Sequence, residues 1–107
     1  MLVHTHVTNL TAPEKEQFES YLEKKLDRIR GFIEAHYPDK DTVKMDVHIQ
    51  KHNKHTAFEF EYVLHLPRVH QPLVTSETKH TITEPMDSAT EKMEGRLRRH
   101  FKKLTRE

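Results

Sequence analysis

The sequence of 107 residues contains no cysteine and no tryptophan, and it has only two glycines. Without cysteine there are no disulfide bonds and no thiol chemistry, which fits the cytosol. No apolar run approaches the roughly 18 residues that a membrane-spanning helix needs. Residues 1–10 lack a basic segment leading into an apolar stretch, so we expect neither a membrane partner nor a signal peptide.

The composition alone leans towards disorder, with 33% charged residues and a mean hydropathy of -0.90. The formal net charge is only +1, however, and the apolar residues recur with regular periods. Such periodicity is typical of a folded chain rather than a disordered one. The length suits one domain, so we expect residues 1–107 to form a single domain.

An amphipathic helix is predicted after a short β-like segment at residues 2–7. Thr11 and Glu14 have the spacing of a capping box, and Pro13 is tolerated in the first turn. The apolar residues that follow recur at intervals of three and four, which places them on one helix face; they are Phe18, Leu22, Leu26, Ile29 and Ile33. We expect this helix to reach about Ala35 and to end at Pro38 and Asp39.

Two strands are predicted next, because apolar and polar residues alternate strictly over residues 43–50 and 58–66. Period-two alternation with a polar partner row indicates a sheet that is covered on one face only. A turn between Pro67 and Pro72 leads to a weaker fourth strand at about residues 73–80. The apolar residues of the two strong strands are Val43, Met45, Val47, Ile49, Phe58, Phe60, Tyr62, Leu64 and Leu66.

The last predicted element is a helix from about Met86 to Leu104, capped by Thr83 or Asp87. Its apolar stripe consists of Met86, Ala89, Met93, Leu97, Phe101 and Leu104. Two amphipathic helices need an apolar surface, and the single apolar sheet face supplies it. The sequence therefore predicts an α+β two-layer sandwich in the order β-α-β-β-β-α, with a four-stranded sheet and both helices on one face.

Positive charge is concentrated in the last helix. Residues 92–106 contain seven bases against one acid, Glu94, whereas residues 14–34 contain six acids and five bases. Helical spacing places one set of cations on a single stripe that points away from the apolar one; these are Lys92, Arg96, Arg99, Lys103 and Arg106. Such a stripe matches a phosphate backbone.

An ordinary solvated helix is the alternative, since cations also favour the negative end of the helix dipole. The dipole accounts for cations in the last turn but not for those three turns earlier, which favours nucleic acid. Lys25 lies within the apolar face of the first helix. Geometry favours a snorkelling lysine, with only its stem buried. The alternative is a cation held at the groove between the two helices, next to Arg28, and both can hold.

Residues 86–91 (MDSATE) and 96–103 (RLRRHFKK) resemble the final helix of the hibernation promoting factor and ribosome-associated inhibitor family. That family usually has an Ala-Ile-Asp core there, followed by Lys-Leu-x-Arg-Gln-Leu and further lysines. Ala89 matches the Ala, Thr90 replaces the Ile, and Arg99 matches the Arg. Residues 25–29 (KLDRI) are similar to the family's Lys-Leu-x-Lys-Leu, and the element order, akin to double-stranded RNA-binding domains, is shared.

The resemblance implies a non-enzymatic stress factor, nearest the short form of the family, without cofactor, metal or small-molecule substrate. It would occupy the messenger and transfer RNA channel of the small ribosomal subunit and keep idle ribosomes inactive in the cytoplasm. The resemblance and the charge pattern together imply a set of rRNA-binding residues. They are Lys25, Arg28, Lys92, Arg96, Arg99, Lys102, Lys103 and Arg106.

Three alternatives remain open. The first is a metal-binding or histidine-based catalytic protein, because ten histidines are present and some are paired, such as His4 with His6 and His52 with His55. No helical His-x-x-x-His, nucleophile motif or glycine-rich phosphate loop accompanies them. The second is a general double-stranded RNA-binding module that acts away from ribosomes. The third is an interaction domain that pairs through an open sheet edge.

Overall fold

A computed structural model of the protein describes residues 1–37, 39–54 and 56–105; for residues 40, 104 and 105 it describes the backbone alone. The elements follow the predicted order, with one short 3-10 turn added at Lys40–Thr42. Neither described helix is long and apolar enough to cross a membrane. The strands and helices are β1 (Leu2–Thr8), α1 (Ala12–His36), β2 (Lys44–His52), β3 (Ala57–His65), β4 (Leu73–Lys79) and α2 (Thr83–Thr105).

The four strands lie in one sheet in the order β1-β2-β3-β4, so that β1 and β4 are its edges. β1 runs parallel to β2, with Leu2 opposite Lys44, because α1 carries the chain back to the end of the sheet where β1 begins. The β2–β3 and β3–β4 pairs are antiparallel. The predicted four-stranded α+β architecture is therefore confirmed, as a mixed sheet with a majority of antiparallel pairs.

Both helices begin at hydroxyl-bearing caps. The Thr11 hydroxyl accepts from the Glu14 amide at 3.3 Å, and the Glu14 carboxylate accepts from the Thr11 amide at 2.9 Å, so the predicted capping box is present. α2 begins three residues before the predicted Met86, because the Thr81 hydroxyl accepts from the Glu84 amide. Neither predicted cap precedes the helix as an N-cap does, because Thr83 is the first residue of α2 and Asp87 lies inside it.

The core lies between the sheet and the two helices, which pack on the same face. Phe60 and Leu97 are fully buried in it, together with Phe18, whose ring meets that of Phe60 edge-on at 6.4 Å. Tyr62 is buried as well, and its hydroxyl lies 2.9 Å from that of Thr90, which donates to the Met86 carbonyl at 2.6 Å. The buried hydroxyls of Tyr62 and Thr90 therefore both have hydrogen-bond partners, as burial requires.

Leu97→Ala tests this packing. The side chain of Leu97 is fully buried, so its truncation should lower the free energy of unfolding by about 2–5 kcal/mol in urea titrations. Leu2→Ala is the matched control, because Leu2 is 42% exposed and should change stability by no more than about 0.5 kcal/mol. Equal effects of the two substitutions would contradict the described core.

Candidate nucleic-acid interface

The cationic stripe of α2 lies on the side of the helix that faces β4. Arg96, Arg99 and Lys103 are exposed and follow one another at intervals of three and four residues, so they share one helix face. Within the part of the chain that the structure describes, no acidic side chain forms an ion pair with any of these three. Among the described residues, their charges therefore lack a close anionic partner.

A groove separates this stripe from the open edge of β4. Its volume is about 800 Å³, and Val74 and Ser76 line its strand side. The cations on its helix side are Lys92, Arg96, Arg98, Arg99 and Lys102. Lys92 forms an ion pair with Glu77 of β4, so part of its charge is already neutralised. The groove thus combines a row of cations with the edge strand of the sheet, a surface suited to polyanions.

Lys25 and Arg28 belong to α1 and lie in the contact between the two helices. They are on the side of α2 that faces away from β4. The Lys25 ammonium lies 2.6 Å from the Asp87 carboxylate, and its side chain is only 14% exposed. The Arg28 guanidinium lies 2.5 Å from the carboxylate of buried Glu94. The largely buried side chain of Lys25 and its ion pair between the helices fit both interpretations of this residue.

Tyr21 completes a small network around Asp87 by donating from its hydroxyl at 2.5 Å. Desolvation would raise the pKa of Asp87, but hydrogen bonds from Lys25 and Tyr21 outweigh it and hold the pKa below its usual range. The hydrogen bond that Lys25 makes to Asp87 raises the pKa of Lys25, and the one that Tyr21 makes to Asp87 raises the pKa of Tyr21. The ion pair between α1 and α2 is therefore formed at neutral pH.

The predicted site residues consequently form two separate groups. Lys92, Arg96, Arg99, Lys102 and Lys103 surround the β4 side of α2. Lys25 and Arg28 contribute to the interhelical contact and do not join that surface. Arg106 lies outside the described residues.

Histidines line the face of the sheet that the helices leave uncovered. The rings of His6 and His48 stack with centroids 4.4 Å apart, and His65 lies 3.3 Å from Asp46. Among residues 1–37, 39–54 and 56–105, no group of three or more metal-ligating side chains comes together. His55, a member of one predicted pair, lies outside the described residues.

Two features escaped the sequence analysis. Thr90 was noted only as a departure from a family pattern, yet it supplies the hydrogen-bond partner for Tyr62. The second feature is a set of ring contacts at the end of the helices, where His36 stacks on Phe101. In the sequence, the only indication of this contact is that both residues lie near the ends of predicted helices. Sequence periodicity does not show which helix ends meet.

The protein is thus a two-layer α+β domain with an exposed cationic helix beside an open strand edge. The family model described as sigma 54 modulation protein / S30EA ribosomal protein matches residues 5–105. The chain belongs to this family of ribosome-associated modulation proteins, which confirms the resemblance seen in its helices. A comparison with curated protein sequences found no significant match.

Two solved structures share the fold. One is the N-terminal domain of Protein Y from Thermus thermophilus, with a TM-score of 0.66 and 19% identity, covering 94% of this chain and 99% of that one. The other is a ribosomal subunit interface protein from Coxiella burnetii, with a TM-score of 0.63 and 16% identity, covering 94% and 97% respectively. At these identities the similarity establishes the fold.

Asp87→Asn tests the interhelical network. Because the pKa of Asp87 is depressed on folding, the ionised carboxylate stabilises the folded state above its unfolded pKa. Wild type should be more stable than the variant at neutral pH, and the difference should vanish as the pH falls through the folded pKa of Asp87. Urea midpoints over an acid pH series measure this. Glu91→Gln removes an exposed carboxylate from the same helix and should show no comparable dependence on pH; a difference for Asp87→Asn that persists in acid would contradict the network.

Proposed function

We propose that this protein is a non-enzymatic factor that binds the small ribosomal subunit through ribosomal RNA and keeps the ribosome inactive. The observation that carries the proposal is the exposed stripe of Arg96, Arg99 and Lys103, which has no ion-pair partner in the described part of the chain. Membership in a family of ribosome-associated modulation proteins supports the choice of partner. In this proposal residues 1–107 act as one ribosome-binding domain in the cytoplasm.

Binding to RNA would be electrostatic. Arg and Lys side chains gain affinity for a phosphate backbone by releasing condensed counterions, and arginine adds a planar fork that matches phosphate oxygens. The proposed direct contacts are therefore Arg96, Arg99 and Lys103, and Lys102 lies beside them on the same surface. The ion-paired cations Lys25, Arg28 and Lys92 would contribute weaker, longer-range attraction. Arg106, which lies outside the described residues, remains a proposed contact on the basis of its sequence position alone.

Inhibition would follow from occupancy rather than from chemistry. A folded domain lodged in the channel for messenger and transfer RNA excludes both ligands for as long as it stays bound. Double-stranded RNA is recognised mainly by shape and by phosphate contacts, which a rigid helix with a cationic side can provide. The names of the structural neighbours, one of them a ribosomal subunit interface protein, are compatible with such a location.

The stripe is tested by the double substitution Arg96→Gln with Arg99→Gln. Both side chains are exposed, so the fold should persist while binding to small subunits weakens. The slope of log affinity against log salt should fall by about one unit for each lost phosphate contact. Co-sedimentation with purified subunits over a salt series, together with inhibition of translation in vitro, measures both effects.

A charge-matched control is Lys44→Gln with Lys54→Gln. Both lysines are exposed, the first on the open face of the sheet and the second in the turn after β2, so the variant loses the same net charge elsewhere. It should retain wild-type affinity and salt slope. The proposal fails if both double variants bind alike, or if the protein binds double-stranded RNA but no ribosomal subunit.

A further inference from the structure

Aromatic rings gather where the C-terminal ends of α1 and α2 meet. The imidazole of His36 stacks on the ring of Phe101, with centroids 3.6 Å apart and planes only 2° from parallel. Tyr37 leans against the same Phe101 ring at 5.9 Å. Phe101 itself is buried, so its ring forms a rigid base for the exposed imidazole above it.

His36 is an exposed residue, and one face of its ring is covered by Phe101. The other face is therefore the one on which a further ring could stack. Its Nδ1 lies 3.1 Å from the Phe32 carbonyl oxygen, which can only accept, so Nδ1 carries a proton and the ring orientation is set. The structure thus holds a flat, oriented ring with one unused face.

This ring borders a shallow recess of about 320 Å³, which we call the helix-end recess; its lining residues are Phe32, His36, Arg98, Phe101 and Lys102. The Arg98 guanidinium lies over the Phe32 ring, 5.7 Å from its centroid. Arg98 and Lys102 also line the groove along β4. The recess is therefore continuous with the cationic surface of α2. Every charged group that lines it is positive, although Arg98 also lies 3.8 Å from the Glu94 carboxylate of the same helix.

We propose that the helix-end recess binds an unpaired RNA base, which stacks on the free face of His36 while Arg98 and Lys102 contact its flanking phosphates. Splayed-out bases are commonly held on aromatic or histidine rings and on guanidinium planes, and each stack tolerates any base. RNA is favoured over an apolar protein partner because the recess combines flat rings with cations alone. This inference rests on the proposed RNA-binding function and adds to it a contact with single-stranded RNA.

The test uses the full chain and a single-stranded oligoribonucleotide of about ten nucleotides that contains one 2-aminopurine. Stacking on a ring quenches the fluorescence of this base, so wild type should quench it on binding, and should not do so with a fully paired duplex. His36→Ala should abolish most of the quenching and weaken binding about fivefold or more. His36→Phe keeps a flat ring and should restore both.

Two further variants separate this inference from the proposed function. His70→Ala removes another exposed histidine, in the loop before β4, and should behave as wild type. Arg96→Gln with Arg99→Gln should bind the oligonucleotide more weakly yet quench it at saturation, which would support a separate stacking site. Urea midpoints verify that each variant is folded.

Unchanged quenching in His36→Ala overturns the stacking site, whatever the affinity, and leaves the proposed function standing if the arginine variant still loses ribosome binding. Failure of wild type to bind either RNA or ribosomes overturns both proposals. A wild-type dimer that His36→Ala converts to monomer in light scattering would identify the recess as a protein contact and also sink the stacking site.

Discussion

The burial of α2 against the sheet determines which side of each helix reaches solvent. Leu97 and Met93 on α2 are fully buried, and the buried hydroxyl of Thr90 reaches Tyr62 of β3. Because a helix has a fixed pitch, anchoring this stripe turns one flank of α2 towards α1 and the other towards β4. The interhelical ion pairs and the cationic groove are both consequences of that orientation.

The two flanks of α2 use positive charge differently. On the α1 flank, Asp87 and Glu94 form ion pairs with cations of α1, so opposite charges compensate each other at short range. On the β4 flank, Glu77 compensates Lys92, and Arg96 and Arg99 have no such partner in the described residues. A formal net charge of +1 therefore coexists with one strongly positive surface. The position of a cation within the fold, and not the net charge of the protein, decides whether that cation is available to a polyanion.

Much of the fold could be predicted because its signals are local. The capping box of Thr11 and Glu14, the alternation in β2 and β3, and the helical periods each occupy a short stretch of chain. The candidate site was predicted only as a set of cations. The pairing of Lys25 with Asp87 joins residues far apart in sequence, so no spacing rule identifies it. The contact between His36 and Phe101 could not be predicted for the same reason, because this contact depends on which helix ends meet.

The open edge of β4 has a consequence for self-association. An unpaired edge strand offers backbone hydrogen-bonding groups to any other strand, and proteins commonly guard such edges with charge. Here Arg96 and Arg99 stand beside the edge, across the groove lined by Val74 and Ser76. Joining two copies through their β4 edges would place the cationic flank of each copy beside the new contact. The cationic flank of α2 therefore also opposes aggregation, and loses that repulsion whenever an anion neutralises it.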